Sequence, residues 1–180
     1  HLEQFCKDRK LVVKDGTIKS ELMLIKRIVK IATDKWNCGI PFDAFYGIEL
    51  ASPHKPRNRR ATKEELSILI AHAKKQRNKY ISTIIQFAVE TGMRRSEILK
   101  LKWIDVNLET RIASLYDTKN GDDRHIPLTK TAVQLLSNLT QLSDFVFPIS
   151  ANCLRLAWER CRKKSNIKGL RFHDLRHEAV

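Results

Sequence analysis

Between residues 17 and 36 the apolar side chains Ile18, Leu22, Ile25, Ile28, Val29 and Ala32 recur close to helical spacing. The pattern predicts one helix, opened by Asp15-Gly16-Thr17 as turn and N-cap and closed by Gly39 and Pro41. Periodicity then breaks in Ser52-Pro53-His54-Lys55-Pro56-Arg57-Asn58-Arg59-Arg60. Prolines and basic residues interleaved in this way read as an extended, solvated connector. Helical spacing resumes at Thr62, where Glu65 completes a capping box. A second helix is predicted over 79–90, running into Thr91-Gly92. A third covers 95–103, with Ile98, Leu99 and Leu101 toward a core. Residues 111–117 and 124–128 read as strands around the turn Lys119-Asn120-Gly121-Asp122-Asp123. Two more helices follow, 129–139 capped by Thr129, and 151–165 with Leu154, Ala157, Trp158 and Cys161 on one face. The fold class is mainly α with a small antiparallel β-sheet (α+β). Three regions emerge: residues 1–50, too short to bury much core alone; a basic linker, 51–61; and a larger domain, 62–180.

Charge narrows the partner. Thirty-four lysines and arginines oppose 20 acidic residues, a net +14. Such an excess favours a polyanion, because each neutralised phosphate releases condensed counterions. An apolar content of 42% excludes a disordered basic tail. No apolar run approaches the roughly 20 residues that span a bilayer. His1-Leu2-Glu3-Gln4 carries no signal-peptide pattern and no initiator methionine, so the chain reads as a fragment. Cys6, Cys38, Cys153 and Cys161 are scattered, without Cys-x-x-Cys or zinc-ligand spacing, and read as free thiols of a reducing cytosol.

The chemistry lies in three separated blocks. In phosphodiester transfer, extra negative charge develops on the non-bridging oxygens. A guanidinium meets two such oxygens bidentately, which an ammonium cannot do. Arg94 and Arg176 are the candidates for a two-sided clamp. Glu97 is placed either to orient a guanidinium or to cap the following helix. His173 and Arg176 share a face if the segment is helical, and His177 then points elsewhere. Lys119 sits on the hairpin turn. Met93, Leu99, Leu101 and Trp103 read as core, Tyr116 as a core or strand residue, and Asp122-Asp123 as solvated. Taken singly, an Arg-x-x-Glu or a His-x-x-Arg is an ordinary surface pair. The joint occurrence, in order and beside a basic linker, carries the reading.

The chain resembles the tyrosine recombinase family, and within it the phage-type integrases, over about residues 15–180. The resemblance rests on Glu90-Thr91-Gly92-Met93-Arg94-Arg95-Ser96-Glu97-Ile98 with Leu101-Lys102-Trp103-Ile104-Asp105-Val106. It rests also on Thr118-Lys119-Asn120-Gly121 leading to Arg124-His125-Ile126-Pro127-Leu128, and on Phe172-His173-Asp174-Leu175-Arg176-His177-Glu178. It implies that Arg94 and Arg176 bind the scissile phosphate, that Lys119 is the general acid for the 5′-oxygen, and that His173 is the acid/base beside the nucleophile. Glu97 and His177 would support them. Lys55, Arg57, Arg59, Arg60 and Arg124 are candidate DNA contacts. Residues 1–50 would be the end of a helical core-binding domain that, with the catalytic domain, clamps double-stranded DNA. The family's nucleophilic tyrosine lies beyond the second arginine, and Tyr46, Tyr80 and Tyr116 match no such position. The chain alone is therefore expected to bind DNA without cutting it, while its parent cleaves and rejoins DNA through a 3′-phosphotyrosyl bond. Neither a metal, nor a nucleotide, nor any other cofactor is needed. The resemblance further implies self-association on DNA, to a tetramer in the synapse, in the cytoplasm of a bacterial host, with no membrane and no small-molecule substrate. Two alternatives stand beside this: a non-catalytic DNA-binding regulator of the same fold, and a type IB topoisomerase-like enzyme.

Overall fold

The computed structural model describes residues 1–39, 45, 48, 58–116 and 123–178. The chain forms two compact units, His1–Arg57 and Asn58–Val180. In the first, α1 (Leu2–Lys10), which the hydrophobic pattern does not predict, packs on α2 (Asp15–Trp36). The Arg9 guanidinium donates from Nε to Glu21 at 2.8 Å across the pair. α2 starts two residues before the expected cap. Lys14 is the N-cap without a side-chain bond, and Asp15 enters the first turn, where a carboxylate suits the exposed amide ends. The helix stops at Asn37, whose left-handed backbone (φ 53°) closes it ahead of Gly39 and Pro41. Only Ile18, Leu22 and Ala32 of α2 are buried.

The second unit begins as predicted. Thr62 caps α3 (Lys63–Lys74): its hydroxyl accepts from the Glu65 amide at 3.2 Å, and the Glu65 carboxylate accepts from the Thr62 amide at 3.0 Å. α4 (Tyr80–Thr91) buries Ile81, Ile84, Ile85, Phe87 and Ala88, and ends at Gly92 with φ 60°, a backbone that glycine adopts without strain. α5 (Arg95–Lys100) is shorter than the expected 95–103. At Leu101 the chain turns extended: the Leu101 carbonyl accepts from Val146 N at 2.9 Å, and Trp103 N donates to the Asp144 carbonyl at 2.9 Å. Backbone pairing with 144–146 replaces another helical turn, and a 3-10 turn over Trp103–Asp105 follows.

Three antiparallel strands, β1 (Val106–Asn107), β2 (Ile112–Leu115) and β3 (Arg124–Pro127), form one sheet in that order. β2 and β3 are shorter than expected, and β1, at two residues, is too short to leave a periodic trace. The register pairs Ala113 with Ile126 and Leu115 with Arg124. Ala113, Leu115 and Ile126 take the inward positions. Tyr116, read from the sequence as core or strand, therefore lies just past β2 and is exposed. α6 (Lys130–Ser137) is capped by Thr129, whose hydroxyl accepts from Ala132 N at 3.0 Å and donates to the Glu90 carboxylate at the end of α4. Ser150 caps α7 (Ala151–Lys164), which buries the predicted face of Leu154, Ala157, Trp158 and Cys161. A 3-10 helix, Phe172–Glu178, closes the described chain. The core gathers around α4, with the Phe87 and Phe147 rings 5.6 Å apart and Trp158 edge-on to Phe172 at 5.4 Å. Met93 and Leu101 are buried within it, with Leu99 and Trp103 partly so.

Candidate functional site

The site grows from the end of the best-buried helix. Gly92 turns the chain out of α4, and Arg94 takes the N-cap of α5 in an extended backbone. Glu97, one turn into α5, fills both roles open to it. Its Oε2 accepts from the Arg94 amide at 2.7 Å, and its Oε1 accepts from Arg94 Nη1 at 2.7 Å. Two further guanidiniums approach the same carboxylate. Arg124 Nη1, at the start of β3, lies 3.8 Å from Oε1, and Arg176 Nη1, on the terminal 3-10 helix, lies 3.9 Å from Oε2. The Glu97 side chain is 13% exposed, against 48% for Arg94, 36% for Arg124 and 30% for Arg176. A recessed anion thus holds three cations at its rim.

The electrostatics follow from that arrangement. Burial pushes the Glu97 carboxyl upward. The Arg94 amide and guanidinium bonds, with the Arg94 and Arg124 charges, outweigh burial and hold it below the ordinary glutamate range. Arg176 is pulled below the usual arginine value, first by burial and then by repulsion from Arg94, with Glu97 opposing and Arg124 adding to the repulsion. Among the described residues, Arg176 Nη1 is buried without a hydrogen-bond partner. One carboxylate against three guanidiniums leaves two positive charges uncompensated, an arrangement suited to an oxyanion such as a phosphodiester.

The motif around Arg176 divides its labour. Phe172 and Leu175 are buried and anchor the 3-10 helix, which packs on α4. Asp174 is buried too, and its Oδ2 accepts from Arg171 N at 2.8 Å. His173 and His177 remain exposed. His177, expected to point elsewhere, is instead a neighbour of His173, the two rings 6.4 Å apart and nearly perpendicular, as a four-residue spacing on one helix face allows. At the end of this helix, Glu178 Oε1 accepts from Ala61 N at 3.1 Å.

The remaining candidates fare unequally. Lys119, Lys55 and Arg57 lie outside the described residues, as do Asp122 and Tyr46. Arg60 is exposed. Arg59 is bonded to the Glu65 carboxylate, which raises its pKa; burial opposes, and the charges of Glu65, Asp174 and Glu178 add to the rise. Arg124, a candidate DNA contact, stands inside the arginine cluster, 3.8 Å from Glu97. The signal for this is period two: it precedes Ile126 by two residues, so it shares that residue's inward face. Glu178 has no such signal, since its partner amide is remote in sequence. No helix among the described residues is long and apolar enough to cross a membrane, and no trio of His, Cys, Asp or Glu among them is placed to hold a metal ion. The four cysteines are free.

The model of the phage integrase family matches residues 59–180. A putative integrase/recombinase of Haemophilus influenzae is 35% identical over 99% of this chain and 61% of its own length. A shufflon-specific DNA recombinase of Escherichia coli is 33% identical over 93% of this chain and 44% of its own. The chain thus spans less than two thirds of either relative. Among solved structures, a lambda integrase (75-356) dimer bound to a COC′ core site superposes with TM-score 0.75 at 19% identity, covering 99% of this chain and 68% of that one. At that identity the likeness establishes the fold.

Proposed function

The chain belongs to the phage integrase family, and on that footing we propose that the full-length protein is a site-specific DNA recombinase that cleaves and rejoins double-stranded DNA through a 3′-phosphotyrosyl intermediate. One observation carries the reading: Arg94 and Arg176, from motifs far apart in sequence, converge on the single carboxylate of Glu97. Glu97 holds the two guanidiniums in position, and the scissile phosphate takes their outward edges.

The steps balance without a metal or a nucleotide. A tyrosine hydroxyl attacks phosphorus, giving up its proton toward His173. The O–P bond to tyrosine forms as the bond to the 5′-oxygen breaks, and Lys119 supplies the proton that the leaving oxygen needs. Arg94 and Arg176 stabilise the charge that builds on the non-bridging oxygens. A 5′-hydroxyl of a second strand then reverses the sequence. His177 supports His173. Residues 1–50 serve as the end of a core-binding domain, 51–61 as the linker and 62–180 as the catalytic domain. Lys55, Arg57, Arg59 and Arg60 track the DNA backbone. The partners are duplex DNA and further copies of the protein, paired on a core site as lambda integrase is and joined as a tetramer in the synapse. The setting is a bacterial cytoplasm.

The test is covalent capture. Full-length protein incubated with a nicked substrate of its recombination site should leave a denaturant-resistant protein–DNA adduct. Arg94→Ala and Arg176→Ala should each lower its rate by about 10²–10³, the scale for losing one transition-state donor. Circular dichroism should stay that of the folded protein. Adducts at the wild-type rate in both variants would refute the reading.

A further inference from the structure

We propose that Arg124 is a third phosphate-binding side chain of the cleavage site, acting on the same phosphate as Arg94 and Arg176. The assignment deepens the recombinase reading and rests on it.

Geometry sets Arg124 apart from an outlying backbone contact. It opens β3 opposite Leu115, with Ala113 and Ile126 as the next pair on the buried face. Its side chain reaches Glu97 of α5, the helix that Arg94 caps. Its Nη1 is 3.8 Å from Glu97 Oε1, the oxygen that Arg94 Nη1 already holds at 2.7 Å. Arg94 and Arg124 therefore flank one oxygen, and Arg176 approaches the other at 3.9 Å.

A purely structural role is the poorer explanation. An ion pair at the edge of solvent contributes at most about 1 kcal/mol. Glu97 is already engaged at short range by Arg94, and no other carboxylate among the described residues pairs with Arg124. Bringing a third guanidinium there adds repulsion, visible in the downward pull that Arg94 and Arg124 both exert on Arg176. Repulsion within such a cluster is relieved by an anion, and the anion of this reaction is the scissile phosphate, most negative in its transition state. Three donors from the α5 cap, the sheet and the terminal 3-10 helix then enclose it from three directions. Because Arg124 is the first residue of β3, its grip also fixes the start of that strand at the reacting phosphate.

The experiment separates charge at the scissile phosphate from affinity and from folding. Single-turnover cleavage by the full-length protein, at saturating enzyme, is measured for wild type, Arg124→Ala, Arg124→Gln and Arg124→Lys. Each is tested on ordinary DNA and on DNA bearing a neutral methylphosphonate at the scissile position. On ordinary DNA, Arg124→Ala and Arg124→Gln should be slower by about 10–10²-fold, somewhat less than for a sole donor, and Arg124→Lys should recover part of the loss. On the neutral linkage the gap from wild type should shrink to a few-fold. Melting temperatures should not fall. A defect confined to Kd, with normal rates at saturation, would make Arg124 an outlying backbone contact and overturn the assignment. An undiminished defect on the neutral linkage would overturn it too, showing that Arg124 acts only through Glu97. Absence of any adduct from wild type would remove the recombinase reading itself, and this inference with it.

Discussion

α2 and α4 carry similarly spaced apolar residues, yet they end in different states. The longer helix, α2, buries three side chains and leaves Met23, Leu24 and Ile28 exposed. The shorter one, α4, is packed by α3, α5, α6, α7 and the terminal 3-10 helix, and its apolar face is almost wholly removed from water. Periodicity sets where a helix forms; the number of elements that close on it sets how much energy the helix gains. The difference bears on chemistry. Arg94 and Glu97 stand just past α4, Thr129 is tied to Glu90 on its last turn, and the helix bearing Arg176 lies against it. The proposed site is thus built at the end of a helix enclosed by five neighbours, the kind of support a preorganised electrostatic site needs.

Three measurements test that contrast, beginning with the core. Phe87→Ala should cost about 3–5 kcal/mol, because its neighbours are fixed on every side and the cavity cannot collapse. Leu22→Ala in α2 should cost about 2 kcal/mol or less, since α1 is its one helical neighbour among the described residues of that unit. Urea titration with amide exchange resolved by unit would show both, and equal losses would break the comparison.

Glu97→Gln comes next, at about 1–3 kcal/mol for losing the charge in bonds to a charged partner. Its pH dependence has a definite sign. The folded carboxyl titrates below the ordinary glutamate value of 4.5. The wild-type advantage over Glu97→Gln should therefore be full above that pH and vanish as pH falls through the lower folded value. Melting curves across the acid range that show the advantage growing on acidification would contradict the assignment of its charge state.

The smallest effects concern the segment joining the units. Lys55→Gln, Arg57→Gln and Arg60→Gln should each flatten the slope of log Kd against log salt by about 0.9, with site preference unchanged. Arg59→Gln should flatten it less, because that guanidinium is already bonded to Glu65. A uniform effect across all four would mean that the Arg59–Glu65 pair opens on DNA.

Much of the second unit is legible in the sequence because its signals are local. The Thr62–Glu65 box, Gly92 after α4 and the Thr129 hydroxyl each act within one turn of chain. What escapes prediction depends on distant partners. α5 stops at Lys100 because Leu101 and Trp103 pair with 144–146. β1 exists only through its two-residue pairing with β2. The Thr17 cap fails because Asp15 can enter the first turn. The same division runs through the site. Arg94, Glu97 and Arg176 are marked by their motifs, and the double role of Glu97 follows from spacing. The neighbouring rings of His173 and His177 are within reach of the sequence, since residues four apart share a helix face. The place of Arg124 requires the register of β2 against β3.

The hydrogen bond from Ala61 to Glu178 has a topological consequence. It closes a loop from Ala61, just ahead of the α3 cap, to the helix that carries Arg176. The Ala61 amide is bonded only while that helix stays in place, so its exchange with solvent reports the helix from a residue 117 positions away.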